Sequence, residues 1–422
     1  MKLNKTTLKN GLRILSIPMP HVQTITVMVL VGTGSEYESK RENGLAHFLE
    51  HMCFKGTVKR PTAHDITYEL DSIGADYNAF TGGTYTGYYA KSHKKNAFKI
   101  LDIISDIYLN STFPQQELKK EQSVIVQEIN MKQDNPRSIA SDLIDELIFG
   151  DTPPGRTIIG TKKTVQSFTR NDLLNYHKKF YVPGATLVIV SGAVPKDMTS
   201  EISTIFSRMK KAPVVKKEKV VPEQTVPALK IRYKDTNQTQ LILAFTTKMD
   251  MFDKKVPESK TLSTVLGGGM SSRLFTKIRE EMGLCYGIST AMHVGSDGGM
   301  FVVRAAVGHD KVEEAVKAIL EELRKVRDEG ISEKELRKVK DYRLSGLVLG
   351  LETSEDYAEY YGFQELSKKK VNTPEEAAVL IEKVTAAQVQ SIAKNIFKNE
   401  VLNLAIVGPH KSPKSLKSIL KI

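Results

Sequence analysis

The chain has 422 residues, 40% of them hydrophobic and 26% charged, with no tryptophan, two cysteines and a formal net charge of +12. That length exceeds one ordinary core and predicts two domains at roughly 100 to 200 residues each, and the composition excludes a fibrous or disordered chain. The basic excess is interleaved with acids, as in KKEKVVPEQ and EELRKVRDEGISEKELRKVKD, which argues against a nucleic-acid groove and predicts solvated helix faces with intrahelical ion pairs.

The N-terminal stretch MKLNKTTLKNGLRILSIPMP lacks both an apolar signal core and the Arg/Ser-rich pattern of a transit peptide. No run of about 18 apolar residues follows anywhere, so no membrane-spanning helix and no membrane partner are expected. With Cys53 and Cys285 far apart and in no CxxC pair, a reducing compartment fits best, and the expected location is cytoplasmic. Both cysteines read as buried and structural.

Thr24 to Ser35 is β-branched, bounded by glycines, and predicts a buried strand leading into a helix at GLAHFLEHMCFKGT. Helical periodicity then covers Thr62 to Ser72, Asn96 to Leu109, Gln115 to Gln133 and Thr169 to Lys179, with a buried strand at Thr186 to Val194. Lys210 to Lys230 holds three prolines and no helical period, and predicts an extended linker. Beyond it come a strand at Gln238 to Met249, a glycine-rich helix opening at Gly267-Gly268-Gly269, and a strand in GGMFVVRAAV. Helices at Lys311 to Asp328 and Glu333 to Leu349 follow, and a last strand in VLNLAIVG. The triple glycine lacks the Lys-Ser/Thr of a P-loop and reads as a tight connection or hinge.

This order predicts an α+β fold with two similar domains, each a mixed β-sheet packed with helices and related by internal duplication. The expected boundaries are 1–212 for the first domain, 213–229 for the linker and 230–422 for the second.

His47 and His51 are four apart, displaced by about 40° around a helix and one turn along it, so their imidazoles can converge on one ion. Glu50 projects beside the same face, where it can take a proton from water without being a ligand. This HxxEH order is a zinc motif in its own right. Two histidines on a half-apolar helix also fit plain hydrogen-bonded core residues, and catalytic zinc needs a third ligand. Glu121 and Glu128, seven apart on one helix, are both candidates. The apolar run Val124 to Val126 between them predicts a substantially buried helix, and spacing alone does not choose between the two carboxylates.

These residues resemble the pitrilysin family of zinc metallopeptidases, which includes insulin-degrading enzyme and the mitochondrial processing peptidase. The resemblance runs through GLAHFLEHMCFKGTVKRP, IGADYNAFTGGTYTGYY, EQSVIVQEI, GRTIIGT and GGGMSSRLFTKIREEMGLCY. It implies a processing-peptidase-like fold and one Zn2+ per chain, held by His47, His51 and Glu128. Glu50 is then the general base on zinc-bound water, and Glu121 orients a ligand histidine from behind. Carried over by position, Arg279 and Tyr286 grip the substrate and stabilise the developing oxyanion. Asn78, Ala79, Phe80 and Thr81 form a strand that binds extended peptides through their main chain. Gly82-Gly83 departs from the family pattern and suggests a loosened loop. The implied function is endopeptidase cleavage of peptides or unfolded segments inside a clamshell chamber formed by a homodimer, with the active site completed in trans; a heterodimer with a paralogue is the variant of that assembly. The alternative, also found in the family, is a non-catalytic partner or scaffold subunit.

Overall fold

In a computed structural model, which describes residues 3–368, 371–411 and 414–422, the protein is α+β with two mixed sheets, each layered with helices. The first sheet contains β1 (Asn4–Thr7), β2 (Arg13–Pro18), β3 (Thr24–Val31), β4 (Asp76–Thr81), β5 (Thr86–His93) and β6 (Thr186–Gly192), in the order β1-β2-β6-β3-β5-β4. The second contains β7 (Ala228–Tyr233), β8 (Thr239–Thr247), β9 (Cys285–Val294), β10 (Gly299–Val307) and β11 (Leu402–Gly408), in the order β7-β11-β8-β10-β9.

Apart from β1 the two sheets have one topology. β2 runs parallel to β6 as β7 does to β11, and every other neighbouring pair is antiparallel. The duplication expected from element order is therefore present in the strand pairing.

The helices that position the site are α1 (Leu45–Cys53), α2 (Ala63–Ser72), α3 (Ala97–Leu109), α4 (Gln115–Asp134) and α5 (Pro136–Phe149). Along β3 every residue after Thr24 is buried, as a β-branched run requires when both faces of its sheet are covered. One face packs on α1 and α3 through residues such as Val27, Val29, Phe48 and Ile104. The opposite face is covered by Ser354–Lys368, whose Ala358 and Tyr361 meet Leu15, Met28, Leu30 and Ile189. Arg13 of β2 reinforces this contact, donating to the Glu365 carboxylate at 2.9 Å.

The second sheet mirrors the arrangement. Val256–Gly267, Val312–Glu329 and Ala386–Ile396 cover one face. On the other, Ile139, Ala140, Leu143 and Ile144 of α5 pack against Ile242, Ala244, Val302 and Ala405.

Compactness and sequence order therefore divide the chain differently. Unit one comprises residues 1–130, 157–218 and 350–371, and unit two comprises 131–156, 219–349 and 372–422. The proline-rich stretch from Lys210 holds no helix or strand until Ala228.

The glycine-rich segment differs from expectation, because a helix (Val256–Gly267) ends there and a π-helical turn, Phe275–Glu281, follows. A side chain at Gly267 would come within 2.6 Å of the Thr290 backbone nitrogen, so this glycine serves close packing against β9. Among the described residues no helix is long and apolar enough to cross a membrane.

Tyr361 is 1% exposed at the centre of the Ser354–Lys368 contact. Its replacement by alanine is expected to destabilise unit one by about 3–5 kcal/mol, read as a lowered urea midpoint for the unfolding of the first sheet.

Candidate metal centre

The helix that carries the two histidines is fixed at its start by an unusual cap. Gly44 has φ +97°, and a side chain there would come within 2.8 Å of Gly160 Cα, so glycine is required on both counts. The Glu38 carboxylate accepts the Gly44 N–H at 2.8 Å and the Ala46 N–H at 2.6 Å, two of the donors a helix leaves unsatisfied at its first turn. Leu45, Ala46, Phe48, Leu49, Met52 and Cys53 fill the core, which leaves His47 and His51 to face α4.

On α4 the burial differs from the expected apolar run. Leu118, Glu121, Ile125 and Ile129 form the buried stripe, and Val124 is 49% exposed. The helix is half buried, with Glu121 inside its buried stripe and Glu128 at the margin, because a 3.6-residue period turns Val124 away from the contact that Glu121 and Ile125 make.

Glu128 spans both imidazoles. Its Oε1 lies 3.6 Å from His47 Nε2 and its Oε2 3.7 Å from His51 Nε2, and one ligand atom from each of the three residues fits within 4.8 Å of the others. A tetrahedral ion about 2.1 Å from each ligand sets those ligands about 3.4 Å apart, so two neutral imidazole nitrogens and a carboxylate at this spacing fit zinc. Among the described residues this is the one group of three or more potential ligands.

Glu121 takes the other role. Its Oε1 lies 2.9 Å from His51 Nδ1 and its Oε2 2.7 Å from Lys55 Nζ. Holding Nδ1–H fixes the tautomer and turns Nε2 toward Glu128. Burial pushes the Glu121 carboxyl up, but hydrogen bonds from His51 and Lys55 outweigh it and bring it below the ordinary value. For His51, burial lowers the imidazole, and the Glu121 hydrogen bond together with the charges of Glu50, Glu121 and Glu128 turns that into a net rise. The signal that could single out Lys55 is its place four residues after His51, the same spacing that links the histidines.

Glu50 accepts a hydrogen bond from Thr81 Oγ1 at 2.5 Å. Its carboxyl is raised by burial, with Thr81 and His51 opposing and Glu128 adding to the rise. Thr81 ends β4, the outermost strand of the first sheet, so Asn78, Ala79, Phe80 and Thr81 lie on an edge strand beside α1. The following glycines are not a loosened loop. A side chain on Gly83 would come within 2.4 Å of Glu36 Oε1, and one on Gly34 within 2.2 Å of the Gly82 carbonyl oxygen. Gly82 and Gly83 accept the Ser35 and Glu36 N–H groups, and this close approach of two backbones is what demands glycine at Gly34.

Arg279 and Tyr286 belong to unit two. Arg279 sits on the π-helical turn and lies over the rings of Phe275 and Tyr286, 4.6 and 5.0 Å from their centroids. Tyr286 is 78% exposed. Cys285 beside it and Cys53 on α1 are both buried, and burial raises both thiols, Cys53 to about 12.

Two family models match in tandem. Residues 13–162 match the insulinase domain of peptidase family M16, and residues 167–342 match the peptidase M16 inactive domain. The chain belongs to peptidase family M16. An uncharacterized zinc protease of Rickettsia felis is 36% identical over 96% of this chain and 98% of its own length. Among solved structures, a protease from Helicobacter pylori has TM-score 0.88 at 23% identity, covering 97% of this chain and 99% of that one. The periplasmic protease PqqL from Escherichia coli has TM-score 0.83 at 21% identity, with 99% of this chain matching 50% of that protein. For this M16 chain the metal-site residues lie within the insulinase match and Arg279 and Tyr286 within the inactive-domain match.

Glu121→Gln is expected to weaken zinc binding about 10- to 100-fold, measured by competition with a chromogenic chelator. A second expectation concerns Glu38, whose carboxyl is raised from its ordinary 4.5 to about 8 because burial outweighs its two backbone N–H partners. The native state then holds more protons than the unfolded state between pH 4.5 and 8, so stability falls as pH rises through that window. Glu38→Gln removes this loss, and its urea midpoint is expected to change less between pH 5 and pH 8.5 than that of the unaltered protein.

Proposed function

We propose that this chain is a zinc-dependent endopeptidase acting on peptides or unfolded segments. The observation that carries the reading is the Glu128 carboxylate set against both imidazole Nε2 atoms, beside Glu50 and an open sheet edge. The zinc protease name of the Rickettsia relative supports it.

An extended peptide adds to the free edge of β4 through main-chain hydrogen bonds to the Asn78 to Thr81 segment, which selects an unfolded conformation over a particular sequence. His47, His51 and Glu128 hold one zinc ion per chain. Zinc, when bound, supplies Lewis acidity toward water and the scissile carbonyl. Glu50, steered by the Thr81 hydroxyl, takes the proton from the attacking water and delivers it to the leaving amine. Its burial favours the protonated form, so it accepts that proton more readily than an exposed carboxylate. Tyr286 and Arg279 donate hydrogen bonds to the oxygen that gains charge and to a neighbouring carbonyl.

The active assembly in this proposal is a homodimeric clamshell in which Arg279 and Tyr286 of one copy serve the zinc helix of the other. Its location is the cytoplasm, a placement supported by two buried free cysteines.

Purified protein is expected to contain about one zinc per chain, and Glu50→Gln to keep that metal while slowing cleavage of a quenched fluorescent peptide by at least about 100-fold. Undiminished cleavage by this variant would sink the assigned role. For the dimer, mixing Glu50→Gln with Tyr286→Phe chains is expected to restore part of the lost activity. No recovery after verified subunit exchange rejects action in trans.

A further inference from the structure

Unit two contains a cavity of about 300 Å³ that the catalytic reading leaves unused. It lies between the first turns of α5 and the strands β8, β9 and β10, and its polar lining is Arg137, Ser141, Gln240, Ser289 and Arg304. That lining holds two guanidinium groups, two hydroxyls and an amide, with no carboxylate.

Strand register explains why a cation is there. Arg304 on β10 stands opposite Ile242 of β8 and Ser289 of β9. Residues two apart share a face, so Arg304 lies on the side of Val302, the side that packs on α5. An arginine on a largely apolar face, beside neutral Gln240 and Ser289, calls for a counterion. Among the described residues Arg304 forms no ion pair, and its hydrogen-bond partner is His293, whose Nε2 lies 3.3 Å from Nη2. Burial depresses the guanidinium below its ordinary value, and the charge of Asp145 partly offsets this. Arg137, at the second position of α5, faces the same cavity and likewise forms no ion pair among the described residues. Two guanidiniums share five-donor planar forks that match a carboxylate's two oxygens, and an anion entering a half-buried site meets less dielectric screening than on the surface.

The cavity also continues from the residue assigned to the oxyanion. Cys285 pairs with Val307 and Ile288 with Ala305, so Tyr286 and Gly287 together oppose Ala306 in a β-bulge. Gly287, Ile288 and Ser289, which line the cavity, follow Tyr286 directly. Ser289 is about 10 Å along the strand from Tyr286, the length of about three residues of extended peptide.

We propose that the Arg137/Arg304 cavity binds a carboxylate of a peptide ligand, supplied by an acidic side chain or by a free C-terminus. The peptide nature of the ligand rests on the endopeptidase reading, and the site selects substrates by charge where the edge strand selects them by conformation.

Direct binding tests this without cleavage. Glu50→Gln protein is titrated, by fluorescence anisotropy, into three labelled peptides of one sequence: amidated with a single Glu, amidated with Gln in its place, and the Gln peptide with a free C-terminus. At least one carboxylate peptide is expected to bind about tenfold or more tightly than the neutral one, as paired charge-assisted hydrogen bonds allow. Which arm gains identifies the source of the carboxylate. Arg304→Gln and Arg137→Gln are each expected to shrink the preference, and together to abolish it, with the neutral peptide's Kd unchanged. Arg304→Lys keeps the charge without the fork and is expected to be intermediate. If changes at Arg304 disturb folding, Arg137→Gln on the exposed first turn of α5 carries the test alone. Equal affinities in the parent protein, no binding of any of the peptides, or a preference that survives the double variant overturns the proposal. Failure of the endopeptidase reading would appear separately, as uncut peptide with the parent protein.

Discussion

The geometry of the candidate metal centre hangs on one imidazole held from both ends. His51 gives Nδ1 to Glu121 and presents Nε2 to Glu128, and those two carboxylates sit two turns apart on α4. The helix α1 is thereby clamped to α4 in one rotation, and His47, one turn earlier, falls onto the same Glu128 carboxylate. Lys55 closes the arrangement by balancing the buried Glu121 charge, which would be costly to hold alone. At the other end of α1, Glu38 and the abutting glycines 44 and 160 set where the helix begins.

The duplicated fold makes the asymmetry of the two halves informative. Strand by strand, β3 corresponds to β8 and β4 to β9, so the place of α1 is taken in unit two by Val256–Gly267. That helix carries no histidine. Arg279 lies in the segment that corresponds to α2, and Tyr286 is the second residue of the strand that corresponds to the edge strand β4. One duplicated layout thus carries the candidate metal ligands in one copy and the Arg279/Tyr286 pair in the other.

Much of this was legible in the sequence because it depends on local period. The four-residue spacing of His47 and His51 and the strand pattern of β3 and β6 are properties of short segments. The choice between Glu121 and Glu128 was not legible from spacing, since residues seven apart share a face; it is decided by which carboxylate meets Nδ1 and which meets Nε2. Val124 misled because a short apolar run does not reveal which side of a helix is covered. Gly82 and Gly83 misled because their backbones pair with the segment Gly34 to Glu36, nearly fifty residues away, where Gly34 leaves no room for a side chain against the Gly82 carbonyl. No local signal marks Ser354–Lys368 as the cover of a sheet made more than 150 residues earlier.

That cover has a consequence for heredity. Each sheet keeps one face dry with a helix encoded among the strands of the other: Ser354–Lys368 for the first, α5 for the second. A gene cut at the proline-rich stretch would yield two polypeptides, each with a bare oily wall and a spare helix. The halves of this protein are therefore legible as a duplication yet no longer modular.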